Sequence, residues 1–346
     1  MSSEVRIAVE ELLAEELSRG PGGAWTEETR HTALAGLVAQ GWTKVGLPEE
    51  LGGEGGTLQD ACEVVAASAA LALPSPLADV VLVTNRLMTG AGLPLPPGAT
   101  CVVPVDARAA RILDGAVRFS AARVPWARHA SHLLAVVPAA ETAYELVIVD
   151  RADAEITPGA NLAGEARDDV EVVDATPLAR SRPLPWPAPS AVGELGALAR
   201  SVQIAAALER ALELSVAYCS QRVQFGRPLS RLATVQHELA ALAGEVAAAR
   251  AAVSVAAETQ SAAPSPADLR STATAKIRTA SAASAGSRIA HQLHGAIGIT
   301  QEYELSRLTV AMWSWREEYG SASAWAERLA ADALAAETGV WDWVTV

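Results

Sequence analysis

Two stretches in the second half of the chain contain residues of the types that bind phosphates and flat rings. The first runs YCSQRVQFGRPLSRLATVQHELA over residues 218–240 and places Arg222 and Phe225 between two predicted helices. Gly226 and Pro228 make the turn between those helices. A guanidinium can form paired hydrogen bonds with a pyrophosphate, and an aromatic ring can pack on a ribityl or purine group. This junction is therefore a candidate dinucleotide contact.

The second stretch runs AKIRTASAASAGSRIAHQLHGAIGITQEYELSRL over residues 275–308. Its small residues allow a ligand or another helix to approach closely, and Gly295 and Gly298 would expose backbone amides to a phosphate or an adenine-ribose. Gln292 supplies a side-chain amide at the same end. His291 and His294 lie one helical turn apart, but no carboxylate or cysteine nearby completes a ligand set, so we predict no metal site.

Three types of pattern follow one another along the chain. Apolar residues at three- and four-residue intervals predict helices up to about residue 92, and short alternating runs such as TCVVPV and YELVIVD predict a small antiparallel barrel or sandwich. The proline-rich segment 177–190 reads as a stiff linker, and four long amphipathic stretches after it predict a four-helix bundle. The predicted domains are a helical domain at 1–98, a β-barrel domain with the linker at 99–190, and the bundle at 191–346.

The composition excludes some function classes. The 346 residues carry a net charge of -13, which argues against binding a phosphate backbone because that needs clustered Lys and Arg. Half of the residues are apolar, yet the longest apolar runs are interrupted by charges and do not give about 20 clean residues for a membrane span. The N-terminus lacks the pattern of a secretory signal. We therefore expect a cytoplasmic protein that binds no nucleic acid.

Taken together, the two stretches resemble the acyl-CoA dehydrogenase family, whose C-terminal bundle carries R-x-x-F-G and, later, Q-x-x-G-G-x-G-(aromatic). The segment GWTKVGLPEELGGEGGT at 41–57 resembles that family's stretch before its third helix, and the α, β, α order agrees. The resemblance implies FAD shared across a subunit interface. It further implies that the FAD bound by a partner subunit is contacted by the motif residues Arg222, Phe225, Gln292, Gly295 and Gly298.

The chain departs from the family pattern at several points. Nothing between Leu93 and Arg123 matches the flavin-contacting T-E-P-x-A-G-S-D segment, and the later W-I-T segment aligns with Trp126 but lacks its threonine. In the bundle, a common glutamine falls on Ala233, and an arginine-aspartate pair is replaced by Val310-Ala311. These losses indicate that the chain's own flavin pocket has degenerated.

The most consequential departure is at the catalytic base. The family glutamate of Y-E-G-[TS] aligns with Tyr319, and a phenol with a pKa near 10 is a poor base at neutral pH. Glu318, one residue earlier, is the candidate replacement, and Glu317 is a weaker one. The alternative interpretation is that Glu317 and Glu318 are solvent-exposed charges on a helix surface with no catalytic role. Another branch of the family places its glutamate at the position of Gly196.

Three functions follow from the resemblance. The first is a subunit of a heteromeric α2β2 complex, of the kind known in actinobacterial steroid and lipid catabolism, that supports FAD-dependent α,β-dehydrogenation of an acyl-CoA in a related partner subunit. The second is a self-sufficient homo-oligomeric dehydrogenase that uses Glu318 as its base. The third is a flavin-free structural subunit that keeps the bundle for assembly alone.

Overall fold

The N-terminal part of the chain is helical, as predicted. The computed structural model describes residues 2–20, 24–104, 110–139, 143–184, 188–260, 266–336 and 339–345. Thr26 and Thr57 each begin a helix with a reciprocal capping box, which satisfies amides that the first turn leaves free. A π-helical segment, Val80–Thr84, interrupts the last helical stretch. The helices are α1 (Ser2–Ser18), α2 (Glu27–Ala39), α3 (Leu58–Ala70), α4 (Leu77–Asp79) and α5 (Asn85–Gly90).

The middle of the chain forms two four-stranded sheets with the orders β1-β4-β5-β8 and β2-β3-β7-β6. Their inward residues, including Phe119, Leu133 and Val170, share one core, which confirms the small β unit. Pairing is antiparallel except between β1 and β4, which are parallel, so the predicted all-antiparallel arrangement was wrong for that pair. The strands are β1 (Thr100–Val103), β2 (Arg111–Leu113), β3 (Ala116–Pro125), β4 (His132–Pro138), β5 (Tyr144–Asp150), β6 (Ala154–Thr157), β7 (Arg167–Ala175) and β8 (Ala179–Arg180).

The proline-rich segment is not a free linker in its first half. Ala179 and Arg180 pair with Ile148 and Val147 at the edge of a sheet, and Ser181 continues the contact through its amide to the Leu146 carbonyl at 2.9 Å. Proline is tolerated on either side of such a short edge strand. Residues 185–187 of the predicted linker lie outside the described residues.

The C-terminal part is helical and packs as a bundle, as predicted. Its elements are α6 (Ala188–Gln221), β9 (Val223–Gln224), β10 (Arg227–Pro228), α7 (Ala233–Thr259), α8 (Pro266–His294), α9 (Glu304–Trp315), α10 (Ala322–Ala335) and α11 (Val340–Thr345). The fourth predicted stretch is not one helix, because it breaks between Trp315 and Ala322. Tyr319 and Gly320 have φ angles of +54° and +99° there, which a helix does not allow.

Two of these helices are long and apolar enough to cross a membrane by length and composition alone. The first, at Pro189–Gln221, has 94% of its most apolar window buried inside the protein, as expected of a core helix. The second, Ala233–Thr259, has only 22% of its window buried. Long core helices of soluble proteins pass the same test, so this is weak support for a membrane span.

Candidate functional site

The Arg222 motif lies in an exposed hairpin at the end of α6. The amide of Leu229 donates to the Arg222 carbonyl at 2.9 Å, which closes the short β9–β10 ladder. Phe225 has a φ of +53° and Gly226 a φ of +73°, so the tip of the hairpin is left-handed at two successive positions. Phe225 is 87% exposed, and the Arg222 side chain is also exposed. The hairpin therefore presents a ring and a guanidinium outward.

The glycine motif lies at the same end of the bundle. Tyr218 of α6 stacks on His294 of α8 with ring centroids 4.7 Å apart, which brings the ends of the two helices together. Gly295 has a φ of +63° and ends α8. A Cβ on Gly298 would come within 2.9 Å of the His294 Cβ, so only glycine fits that position.

Of the five residues that the resemblance assigns to the dinucleotide, Gly298 alone is buried. Arg222, Phe225, Gln292 and Gly295 are exposed.

The two histidines of this motif have structural partners. His291 Nε2 lies 2.9 Å from the hydroxyl of Thr309, and His294 Nδ1 lies 2.8 Å from the carbonyl of Ala290. Burial lowers the pKa of both imidazoles. No group of three metal-ligating side chains occurs among the described residues.

Trp126 lines two of the cavities in the described structure, and the one that it shares with Asp79 and Cys101 is small. Trp126 has a φ of +60°, is 4% exposed, and donates its amide to the Ala166 carbonyl at 3.1 Å. The cavity beside it has a volume of about 10 Å³ and is lined in part by Asp79, Thr100 and Cys101. A space of that size holds about one water molecule. A three-ring flavin does not fit there in this conformation.

Glu318 lies in the turn after α9 and is held by two arginines. Arg167 Nε and Nη2 donate to its two carboxylate oxygens, each at 2.8 Å, and Arg200 Nε donates to Oε2 at 2.7 Å. The Glu318 side chain is only 13% exposed, whereas that of Glu317 is 56% exposed. Burial alone would raise the pKa of Glu318, but the guanidiniums of Arg200 and Arg167 outweigh it and hold the pKa at about 2.

Tyr319 fills the space beside α6. Its hydroxyl donates to Asp79 Oδ1 at 2.7 Å, and its ring lies so close to Gly196 that a Cβ there would come within 2.2 Å of the ring. Burial and the Asp79 carboxylate raise the phenol's pKa well above its ordinary value. Tyr319 is therefore neutral at physiological pH.

The remaining members of this cluster come from all three parts of the chain. Arg200 Nη2 donates to both oxygens of Asp79 at 2.9 Å, and Arg167 Nη2 donates to Glu165 Oε2 at 3.0 Å. Lys276 donates to the carbonyls of Trp315 at 2.9 Å and Glu318 at 2.8 Å. Burial, with Arg200 adding to it, lowers the pKa of Lys276 to about 7. We call Asp79, Glu165, Arg167, Arg200, Lys276, Glu318 and Tyr319 the ionic cluster.

Sequence reasoning identified Glu318 and Tyr319 but missed their partners. A usable signal exists, since Asp79 interrupts the apolar run PLADVVLV and Arg200 interrupts LGALARSVQIAAAL. A lone charge inside an apolar stretch is almost never buried without a partner. A single sequence does not show which buried carboxylate pairs with which buried arginine.

The α, β, α order of the fold is that of the family that the sequence resembles, and comparisons with known proteins agree. Residues 194–334 match the family model "Acyl-CoA dehydrogenase, C-terminal domain". The chain is 32% identical over 263 residues to acyl-CoA dehydrogenase IpdE2 of Mycobacterium tuberculosis, covering 75% of this chain and 73% of the relative. The chain belongs to the acyl-CoA dehydrogenase family.

Solved structures show the same fold. One is the ChsE4-ChsE5 complex of Mycobacterium tuberculosis, with a TM-score of 0.79 and 19% identity, covering 97% of each chain. Another is butyryl-CoA dehydrogenase of Megasphaera elsdenii, with a TM-score of 0.75 and 17% identity, covering 95% of this chain and 98% of that one. Both alignments span all three parts of the chain.

Gly196→Ala should destabilise the protein by about 1–3 kcal/mol, because the added methyl group overlaps the buried ring of Tyr319. Gly193→Ala is the matched control on the same helix, since nothing lies within 4 Å of its Cβ position. Alanine there should be neutral or stabilise the helix by about 0.5–1 kcal/mol. Urea unfolding of the two variants measures the difference, and equal stabilities would contradict the packing of Tyr319 on α6.

Glu318→Gln should lower the free energy of unfolding at pH 7 by on the order of 3 kcal/mol, because two buried arginines lose their shared carboxylate. The depressed pKa means that the ionised carboxylate stabilises the fold fully above its ordinary value of 4.5 and ceases to do so as the pH falls toward about 2. The difference in the free energy of unfolding between Glu318→Gln and the wild type should therefore decrease from pH 7 to pH 3.

Glu317→Gln is the control for that experiment, because its carboxylate is exposed and pairs only with its neighbour Arg316 among the described residues. It should change the free energy of unfolding by less than about 0.5 kcal/mol. A cost for Glu317→Gln as large as that for Glu318→Gln would show that general charge loss, and not the ionic cluster, explains the result.

Proposed function

We propose that this chain is a subunit of a heteromeric, FAD-dependent acyl-CoA dehydrogenase and that it does not itself remove the substrate proton. The observation that supports this most directly is the pairing of both Glu318 oxygens with Arg167 and Arg200. The chemistry we assign to the complex is α,β-dehydrogenation of an acyl-CoA thioester. One solved structure of this fold, Tcur3481-Tcur3483, is named as a steroid ACAD, which is compatible with a role in lipid or steroid catabolism.

The ionic cluster argues against a self-sufficient dehydrogenase. A general base works best when its pKa lies near the operating pH, and a carboxylate with a pKa of about 2 binds a proton too weakly. Its two oxygens are also occupied by three guanidinium hydrogen bonds and by Asn161 at 3.0 Å. Tyr319, which aligns with the family position of the base, has a raised pKa and donates a hydrogen bond from its hydroxyl to Asp79. We therefore assign Glu318 a structural role.

The bundle end has the properties of a partner surface. Around the Arg222 hairpin and the glycine motif lie exposed apolar side chains: Val216 (45%), Val223 (54%), Phe225 (87%), Ile297 (42%) and Ile299 (71%). Apolar clusters of this kind on a soluble protein mark interaction sites. One solved structure of this fold is named as a complex of two components, ChsE4 and ChsE5. We infer a related subunit as the partner, with a heterotetramer as the assembly.

FAD fits this surface and does not fit the small cavity beside Trp126. Arg222 would hold a pyrophosphate, Phe225 would pack on an adjacent flat or ribityl group, and Gln292 with the Gly295 backbone would contact the ADP end. When bound, FAD supplies the acceptor for the substrate hydride. In contrast, the cavity beside Trp126 measures about 10 Å³. The flavin ring is therefore placed in the partner, whose glutamate would take the α-proton.

The same small cavity favours a second candidate, a flavin-free structural subunit. If the chain has lost contact with flavin altogether, the bundle end serves assembly alone. In either case we place the protein in the cytoplasm and its domain boundaries near residues 98 and 190.

Purification of the chain alone should give a colourless protein without acyl-CoA dehydrogenase activity, because the chain lacks the flavin-contacting T-E-P-x-A-G-S-D segment and its candidate base, Glu318, is paired with Arg167 and Arg200. Co-expression with a related subunit that carries an intact Y-E-G-T should give a yellow, active complex. Absorbance at 450 nm and reduction of an electron acceptor by acyl-CoA measure the two properties. A single chain that carries stoichiometric FAD and turns over would refute partner dependence.

Arg222→Ala in the co-expressed complex should lower FAD content at least about tenfold at limiting flavin, because a charge-assisted phosphate contact is lost. Arg111→Ala, an exposed arginine on β2, is the control and should leave FAD content unchanged. Size-exclusion chromatography checks that both complexes assemble. Undiminished flavin in an assembled Arg222→Ala complex would support the structural subunit.

A further inference from the structure

A large cleft lies on the N-terminal side of the molecule, away from the bundle end. It has a volume of about 1050 Å³ and runs between α2, the residues around α4, the loop before β1 and the turn after β3. Pockets that bind small organic molecules have volumes of about 300–1,000 Å³. The cleft is thus large enough for a ligand of lipid or polycyclic size.

The walls of the cleft are mostly apolar. Leu34, Val38, Leu77, Val80, Leu95 and Trp126 line it, together with Pro74, Pro76, Pro96 and Pro97. Val38 is 61% exposed, so α2 directs an apolar side chain to solvent along this face. Prolines and branched aliphatic side chains give rigid walls that lose little entropy when a ligand binds.

The charge of the lining is opposite to that of the protein. The chain has 40 acidic and 27 basic residues, yet Arg30 and Lys44 line the cleft with Glu27 as the single carboxylate among its described lining residues. Lys44 is one of two lysines in the whole sequence. Neither Arg30 nor Lys44 forms an ion pair with another residue in the part of the chain that the structure describes. Two cations therefore line an apolar cleft that contains a single carboxylate, and neither cation is ion-paired with it.

The cleft is also lined by four uncharged polar residues: His31, Thr43, Asn85 and His129. His31 and His129 line the cleft, and burial, with Arg30 adding to it, lowers the pKa of His129, so His129 can offer a neutral hydrogen-bonding nitrogen. The small cavity next to the cleft shares Pro76, Val80 and Trp126 with it. That cavity is lined by Thr100, whose buried hydroxyl has no hydrogen-bond partner within the described residues.

We propose that this cleft binds an amphipathic organic anion, with an apolar body along Leu34, Val38 and Leu95 and a single carboxylate beside Arg30 and Lys44. The apolar walls supply the affinity, and the two cations select the charge of the head group. This site is separate from the ionic cluster, because Asp79 directs its carboxylate to Arg200 and Tyr319 whereas its neighbour Val80 lines the cleft. The proposal does not depend on the proposed function.

Dodecanoate is a suitable probe, and isothermal titration calorimetry on the purified full chain measures its binding. Wild type should bind one dodecanoate per chain and should bind dodecanol at least about tenfold more weakly, because an uncharged head group gains nothing from the two cations. Equal affinities for the two would overturn the assignment of an anion site. No measurable binding of dodecanoate would overturn it as well.

Two variants locate the binding. Arg30→Gln combined with Lys44→Gln should weaken dodecanoate about tenfold or more while leaving dodecanol unchanged. Ala35→Trp adds a ring on the exposed face of α2 within the cleft and should weaken both compounds.

Arg19→Gln is the control, since Arg19 is an exposed arginine outside the cleft. Circular dichroism confirms that each variant is folded, and all the substituted side chains are exposed or half-buried. Binding that survives Ala35→Trp, or that falls equally with Arg19→Gln, would place the ligand elsewhere.

Discussion

Arg200 holds together parts of the chain that are far apart in sequence. It projects from the middle of α6, binds both oxygens of Asp79 from the N-terminal helices, and shares Glu318 with Arg167 of the β unit. A buried guanidinium is costly unless carboxylates satisfy it, and removing one partner of such a pair destabilises strongly. Here the guanidiniums of Arg167 and Arg200 are shared among the carboxylates of Asp79, Glu165 and Glu318, while Lys276 donates to the backbone carbonyls of Trp315 and Glu318. The docking of the helical and β parts thus depends on these two arginines keeping their carboxylate partners.

The same pairing determines what chemistry the interior can do. A carboxylate that is stabilised as an anion by two guanidiniums is a good structural partner and, for that reason, a weak base. Tyr319 cannot act as the base in place of Glu318, because its hydroxyl donates a hydrogen bond to Asp79 and its ring occupies the space over Gly196. In this cluster, the contacts that stabilise the turn after α9 therefore work against proton abstraction. Tyr319, which aligns in sequence with the family's glutamate, is thus also the residue that fills the space beside Gly196.

Local patterns predicted the helices and the β unit because periodicity and capping are local properties. The break after α9 was missed, since EEYGS continues a helical pattern while Tyr319 adopts a left-handed φ that glycine or asparagine usually takes. The ionic cluster was also missed. Several of its contacts join residues more than a hundred positions apart, such as Asp79 and Arg200, and nothing local specifies such a pairing. The Arg222 and Gly295 motifs were recognisable because each is contiguous in the sequence. The stacking of Tyr218 on His294, which brings the two motifs together, was not predicted.

The bundle end and the ionic cluster can change independently because α6 separates them. Arg200 and Gln221 lie 21 residues apart on one continuous helix, a distance of about 30 Å along its axis at 1.5 Å per residue. Charges that far apart interact little at physiological ionic strength, where the Debye length is about 8 Å. Substitutions in the ionic cluster should therefore leave the geometry of the Arg222 hairpin intact. The exposed guanidinium and ring of that hairpin do not depend on the charges of the ionic cluster.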